Sequence, residues 1–137
     1  MESKVFHNKG IMSGGIFCLS PSEAYELSNT EIYFVDVREP YLLGYKKIDV
    51  KNLIYLPASK FDEWCSTLLY NNAYIFFDSV GLKSAEVVKK LKAKGYTNIA
   101  NMAGGIVAWE QEHLPLIIDN TERLDGSCMC QLRPRLK

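Results

Sequence analysis

The sequence has no hydrophobic run long enough to cross a membrane, no excess of charge of either sign and no group of metal-binding side chains. A transmembrane helix needs about 18 or more consecutive apolar residues, and no stretch of the chain approaches that length. Its 16 basic and 16 acidic side chains cancel, so no global charge draws it to nucleic acid or to an anionic membrane. The first residues lack the apolar region of a secretory signal, and we therefore expect a cytoplasmic protein.

Cysteine and histidine are scarce. The four cysteines have no spacing typical of a disulfide framework, and a chain of 137 residues needs none. Cys18 and Cys65 lie in apolar stretches, where cysteine usually acts as a small buried hydrophobe. Neither His7 nor His113 has the spacing of a zinc ligand. We therefore predict no metal site and no cofactor.

The length fits one domain with a proper apolar core, but not two. Residues 1–15 are polar and glycine-containing, and we interpret them as a flexible N-terminal arm. We place the domain at residues 16–118 and a C-terminal tail at residues 119–137.

Short apolar segments alternate with helical patterns along this domain. Five segments are typical of strands, namely 16–19, 32–37, 52–56, 73–77 and 98–102. Helices are predicted over 21–27, 61–69, 84–94 and 106–112. Such alternation predicts a mainly parallel sheet covered by helices on both faces.

Ligands bind such sheets beyond the carboxyl ends of the strands, which directs attention to the loop after the 73–77 strand. It reads Asp78-Ser79-Val80-Gly81-Leu82-Lys83-Ser84 and opens directly into a helix. Backbone amides that converge there, together with the positive end of the helix dipole, form a nest for an anion. On spacing alone, an ordinary tight turn with Ser84 as helix N-cap is an equal alternative.

Other residues receive structural interpretations. Gly104-Gly105 is expected to permit a tight strand-to-helix turn, and Trp109 to pack in the core. The lysines of the 84–94 helix region are expected to form a solvated face that is also able to attract an acidic partner; they are Lys83, Lys89, Lys90, Lys92 and Lys94.

Several motifs in the chain together resemble the rhodanese homology domain family. They are Asp-Val-Arg-Glu-Pro at 36–40, the 78–84 loop with its helix, Gly-Tyr-Thr-Asn-Ile at 95–99, and Gly-Gly-Ile-Val-Ala-Trp at 104–109. The resemblance covers about residues 16–117 and departs from the family over 44–52. It implies a three-layer α/β/α fold with a five-stranded, mainly parallel sheet.

In that family the loop begins with a cysteine, which carries sulfur as a persulfide, and continues with two residues, Gly, one residue, Arg and Ser. Gly81 and Ser84 match this pattern, whereas Asp78 takes the cysteine position and Lys83 the arginine position. The inactive half of two-domain rhodaneses carries the same aspartate. The resemblance further implies that Asp36 and Arg38 are mainly structural and brace the strand end beside the loop.

Aspartate cannot replace the cysteine chemically, because sulfur transfer needs a thiolate that attacks a sulfane sulfur. Its carboxylate also puts negative charge where an anionic donor would bind, and lysine lacks the planar fork of arginine. The plainest interpretation is that Asp78 satisfies the loop amides and caps the following helix. We therefore predict a pseudoenzyme, inactive or impaired in sulfur transfer, that acts as a binding or regulatory module. It would bind a protein partner or a small anion near the anion-binding loop residues Ser79, Val80, Gly81, Leu82 and Ser84.

Two enzymatic alternatives stay open. Cys128 or Cys130, in the tail, would carry the persulfide in a sulfurtransferase or sulfur carrier that does not use the loop cysteine. A phosphatase-like relative is disfavoured by the loop length and by the same missing thiol. The sequence indicates neither a nucleic-acid partner nor a membrane, and it does not indicate an oligomeric state.

Overall fold

A computed structural model describes residues 6, 10–40 and 46–118 of the chain. Its strands are Ile11–Ser13 (β1), Ile16–Leu19 (β2), Ile32–Asp36 (β3), Lys46–Ile48 (β4), Leu53–Tyr55 (β5), Ala73–Phe77 (β6), Ile99–Met102 (β7) and Leu116–Ile118 (β8). Its α-helices are Pro21–Glu26 (α1), Phe61–Trp64 (α2), Leu82–Ala93 (α3) and Gly105–Gln111 (α4), and 3-10 turns span Ala58–Lys60 and Cys65–Thr67. No helix in these ranges is long and apolar enough to cross a bilayer.

The main sheet has six strands in the order β1-β2-β7-β6-β3-β5. The five predicted strands are all present as β2, β3, β5, β6 and β7, and each is parallel to its neighbours among them. The mixed α/β class with a mainly parallel sheet is therefore confirmed. A second, two-stranded sheet pairs β4 with β8 in antiparallel register.

The sixth strand, β1, pairs antiparallel with β2 and lies in the segment expected to be a loose arm. Gly14 and Gly15 connect the two strands with φ values of 61° and 87°, a left-handed conformation that glycine adopts at little cost and that tight hairpins require. Phe6 is fully buried, with its ring 6.2 Å from that of Phe17. The described part of 1–15 therefore packs on the domain.

Two hydrophobic layers cover the sheet, one on each face. Successive strand side chains point to opposite faces, so Phe34 and Ile75 pack with α1 and α4, whereas Val35 and Phe76 pack with α2 and α3. Trp109 is fully buried in the first layer, as predicted. Burial on both faces explains why β3 and β6 are nearly continuous apolar runs.

The helix boundaries agree in part with the sequence. α1 starts with a capping box, in which the Ser20 side chain accepts from the Glu23 amide and the Glu23 carboxylate accepts from the Ser20 amide. The predicted 61–69 helix is wrong in length: α2 ends at Trp64, and a 3-10 turn follows. Its apolar stripe is nonetheless buried, comprising Phe61, Trp64, Cys65 and Leu68.

α3 begins at Leu82, two residues earlier than predicted, with Gly81 as its N-cap. The idea that Ser84 caps this helix is wrong, since Ser84 lies inside the first turn and is fully buried. The lysines expected on the solvated face are all exposed.

Candidate functional site

The 78–84 loop begins at the carboxyl end of β6, in the middle of the sheet, and runs into α3. Asp78 follows the fully buried Phe77 and is itself only 5% exposed. Gly81 has a φ of 92°, which turns the chain into the helix and favours glycine at this position. The residue that opens the loop is therefore a buried carboxylate.

The carboxylate of Asp78 is held by amides of its own loop. The backbone N–H of Gly81 donates to Oδ1, and the backbone N–H of Lys83 donates to Oδ2 over 3.1 Å. Such charge-assisted hydrogen bonds are stronger than neutral ones, and the nearby start of α3 adds favourable dipole charge. The anion that these two amides bind is part of the chain.

α4 holds the other side of the loop. The amides of Ile106 and Val107 donate to the carbonyl oxygens of Asp78 and Ser79, each over 3.0 Å. A Cβ atom on Gly105 would lie 2.2 Å from the Asp78 carbonyl oxygen, which no side chain tolerates. Gly105 is thus required for this close approach, beyond the tight turn that was predicted.

Ser84 connects the loop to β7. Its hydroxyl donates to Oδ1 of Asn101, and Nδ2 of Asn101 lies 3.4 Å from the carbonyl oxygen of Gly81. Asn101 is 4% exposed, so its polar atoms are satisfied within this network. The sequence analysis did not select Asn101; a lone asparagine in an otherwise apolar strand was the available signal.

Asp36 and Arg38 lie beside the loop, because Asp36 pairs in register with Phe77 across β3 and β6. Arg38 Nη2 donates to Asp36 Oδ2 over 2.7 Å, and Nε contacts both carboxylate oxygens. The same Nη2 donates to the carbonyl oxygen of Lys46 over 2.7 Å. This buried pair joins the end of β3 to β4, as a structural brace would.

The opening of the loop carries three exposed apolar side chains, which we call the rim. They are Val80, Leu82 and Val107, with exposed fractions of 50%, 73% and 47%. Lys83, the second residue of α3, is exposed next to Leu82. The rim therefore combines an apolar surface with one cationic side chain.

Glu39 lies across from Lys83 at this edge of the sheet. Its carboxylate accepts from the hydroxyl and the amide of Ser59 over 2.7 Å and 3.1 Å. The hydroxyl hydrogen bond, aided by the amide and by the charges of Lys83 and Lys60, lowers the pKa of Glu39. The sequence analysis did not single out Ser59.

The described cysteines lie outside the loop. Cys65 is buried beneath the α2 region, and Cys18 is partly buried on β2. Burial raises the pKa of the Cys18 thiol, an effect that a hydrogen bond with Asn101 and the charge of Lys89 offset only in part. Cys128 and Cys130 lie outside the described residues. Within residues 6, 10–40 and 46–118, no group of His, Cys, Asp and Glu is placed to hold a metal ion.

A groove of about 660 Å³ opens at the opposite end of the sheet, where β3 and β6 begin. Its lining includes Asn52, Asn71 and Asn72. The amide of Asn52 already donates to the Ile32 carbonyl oxygen over 3.0 Å. This groove does not include any residue of the 78–84 loop.

Known proteins share this fold and sequence pattern. A rhodanese-related protein from Thermoplasma volcanium superposes with a TM-score of 0.66 at 30% identity, over 73% of this chain and 96% of that one. A sulfurtransferase from Allochromatium vinosum is 26% identical over 99 residues, or 72% of this chain and 91% of that protein. The match to MoeZ of Mycobacterium tuberculosis, 27% identical over 88 residues, spans only 22% of that longer protein.

The model of one protein family, described as the rhodanese-like domain, matches residues 20–112. These bounds include α1, the brace formed by Asp36 and Arg38, the 78–84 loop and α4. The resemblance drawn from the motifs is thereby confirmed. The chain belongs to the rhodanese-like domain family.

Proposed function

We propose that this rhodanese-like domain does not transfer sulfur through its loop and acts as a binding or regulatory module for a protein partner. One observation carries the proposal: the Gly81 and Lys83 amides hold the carboxylate of Asp78. The resemblance implies a cysteine at the position of Asp78. The loop amides that would bind an anion are occupied by a side chain of the loop itself.

The chemistry of a carboxylate supports the loss of sulfur transfer. A persulfide forms when a thiolate attacks a sulfane sulfur and the donor leaves with the electron pair of the broken bond. Asp78 has no sulfur to form that bond. Its fixed negative charge also repels thiosulfate from the two amides that it occupies.

The described thiols offer no substitute within the loop. Cys65 is 7% exposed, which leaves little access for a donor. Cys18 lies on β2, and its raised pKa leaves less of the reactive thiolate at neutral pH.

The rim favours a protein partner over a small anion. Small anions gain little from apolar surface, whereas protein interfaces are centred on apolar side chains with a few charged neighbours. Leu82, at 73% exposure, is the most exposed large hydrophobic residue in the described part of the chain. A partner that covers Leu82 would remove that apolar surface from water.

The test is a sulfur-transfer assay with thiosulfate and cyanide, comparing the wild type with Asp78→Cys and Asp78→Ser. We expect no turnover above background for the wild type and for Asp78→Ser, and at least trace turnover for Asp78→Cys. The serine variant is the matched control, because it has nearly the same shape as cysteine without the sulfur. Robust turnover by the wild type would refute the proposal.

A second candidate is a sulfur carrier that uses Cys128 or Cys130. The observation that favours it is the position of Ile118, the last described residue before these cysteines. Ile118 pairs with Lys46, whose carbonyl oxygen accepts a hydrogen bond from Arg38 beside the loop. If this candidate holds, treatment with a sulfane donor labels the wild type with a persulfide, and Cys128→Ser combined with Cys130→Ser abolishes the label. Label that survives the double substitution contradicts it.

A further inference from the structure

The segment after Ile118 starts near the rim, and nothing in the described part of the chain covers Val80, Leu82 and Val107. We propose that residues 119–132 of the same chain dock on this rim. This inference deepens the proposed function and rests on its assignment of the rim as a binding surface. The chain's own segment is then the first occupant with which an external partner must compete.

Two series of residue contacts place the end of β8 near the rim. Ile118 pairs with Lys46, and the Nζ of Lys46 lies 2.7 Å from Oε1 of Glu110 on α4. Glu110 is three residues after Val107, so the two side chains share one face of the helix about 5–6 Å apart at Cβ. Val107 in turn donates its amide to the Ser79 carbonyl oxygen.

The second series of contacts passes through the buried pair of Asp36 and Arg38. The carbonyl oxygen of Lys46 accepts from Arg38, and Arg38 pairs with Asp36. Asp36 lies opposite Phe77, the residue before Asp78. β8 therefore ends at the same edge of the sheet as the loop, and not at the edge where the groove opens.

The length of chain beyond Ile118 is sufficient for the contact. An extended chain spans at most about 3.3–3.6 Å per residue, so Leu124, six residues further on, reaches up to roughly 20 Å. Cys128 reaches up to roughly 33 Å by the same measure. Each contact between Ile118 and the rim spans one side chain or one strand spacing. The rim therefore lies within the distance that the segment after Ile118 is able to span.

The composition of the segment complements the rim. Leu124, Met129 and Leu132 supply apolar side chains for Val80, Leu82 and Val107. Its first seven residues contain three carboxylates, Asp119, Glu122 and Asp125, and one arginine. Their negative charge attracts the exposed Lys83, which favours docking of the segment on the rim over docking elsewhere on the surface.

A tethered segment competes strongly with a free partner. Because it is joined to the domain, its effective concentration at the rim is on the order of millimolar. Weak apolar contacts therefore suffice to keep the rim covered. An external partner displaces the segment only when the ratio of its concentration to its dissociation constant exceeds the same ratio for the tethered segment, which makes the rim a regulated surface.

Disulfide trapping in the full chain tests the docking. Val107→Cys places a thiol of nearly the same size as valine on the rim, and mild oxidation with oxidised glutathione is followed by peptide mapping. We expect an intramolecular disulfide from position 107 to Cys128 or Cys130. Thr97→Cys, exposed before β7 at the other end of the sheet, is the matched control, and we expect it to give at least tenfold less cross-link.

A second comparison separates docking from mere proximity of the tether. In the Val107→Cys background, Leu124→Asp with Met129→Asp is expected to reduce the cross-link at least fivefold. Thr121→Asp with Ser127→Asp adds the same charge at polar positions and is expected to leave it within twofold. Equal cross-linking from positions 97 and 107, or no response to the Leu124 and Met129 changes, overturns the proposal.

The outcome is independent of the sulfur-transfer assay. If trapping fails while wild-type protein shows no turnover, the docking inference falls and the proposed function stands. If trapping succeeds while wild-type protein transfers sulfur robustly, the docking stands and the proposed loss of activity falls.

Discussion

Two buried aspartates end neighbouring parallel strands, and the protein satisfies them in different ways. Asp36, at the end of β3, is fully buried and paired with the guanidinium of Arg38. Asp78, just after β6, is 5% exposed and held by the neutral amides of Gly81 and Lys83. Within the described residues, one carboxylate has a cation as its partner, and the other is held by backbone N–H dipoles.

The comparison shows which of the two positions is open to chemical change. A buried ion pair cannot lose one member without leaving the other charge uncompensated. A carboxylate held by amides can be replaced by any group that accepts from the same N–H donors, whether thiolate, persulfide or free anion. We therefore expect Asp78→Cys to be tolerated better than a substitution in the Asp36–Arg38 pair.

The largest effect is expected from Asp36→Ala. The variant leaves the Arg38 guanidinium buried without its carboxylate, and breaking such a pair typically costs about 3–5 kcal/mol of unfolding free energy. Chemical denaturation monitored by circular dichroism measures this loss. If Asp36→Ala loses less unfolding free energy than Asp78→Ala, the proposed difference between the two aspartates is contradicted.

An intermediate effect is expected from Asp78→Ala, which removes the acceptor of two loop amides at a cost of about 1–3 kcal/mol. The emptied nest then becomes able to bind an added anion. Sodium sulfate, compared with sodium chloride at equal ionic strength, should raise the Tm of Asp78→Ala more than that of the wild type or of Asp36→Ala. Equal increases in all three proteins would show general salt stabilisation and no nest.

The smallest effect extends the comparison to the exposed carboxylate of Glu39. Because the Ser59 hydrogen bond lowers its folded pKa below the usual value of 4.5, the ionised form is favoured by folding. The resulting stabilisation is complete above that value and is lost as the pH falls through the folded pKa. Ser59→Ala should therefore lower Tm slightly at neutral pH. The difference from wild type should shrink below pH 4.5, and a difference that persists in acid contradicts the assignment.

The fold could be predicted from the sequence because local and global signals agree there. The apolar runs of β3 and β6 and the Ser20 capping box each indicate the element that forms. β1 was missed because residues 1–15 were interpreted as one polar, glycine-containing arm. The Gly14-Gly15 pair between two apolar dipeptides was nevertheless a hairpin signal. β4 and β8 have three residues each, too few to show a periodic pattern.

The position of the 78–84 loop after β6 could be predicted from the sequence, but the contacts of its side chains could not. The order of residues in the loop was sufficient to place Asp78 at its head, and the amide contacts of its carboxylate follow from the chain path that Gly81 allows. Asn101 and Ser59 were missed, because each reaches its partner across 17 to 20 residues of sequence. A contact of that range is set by the tertiary fold and leaves no local pattern.

The close approach of Gly105 to the loop couples the position of α4 to that of the Asp78 backbone. With no space between the α4 backbone and the Asp78 carbonyl, a shift of either one displaces the other. Trp109 lies on that helix, fully buried, with its indole N–H bonded to the Pro115 carbonyl oxygen over 2.7 Å. Its intrinsic fluorescence therefore offers a label-free optical readout of any ligand or partner that moves the loop.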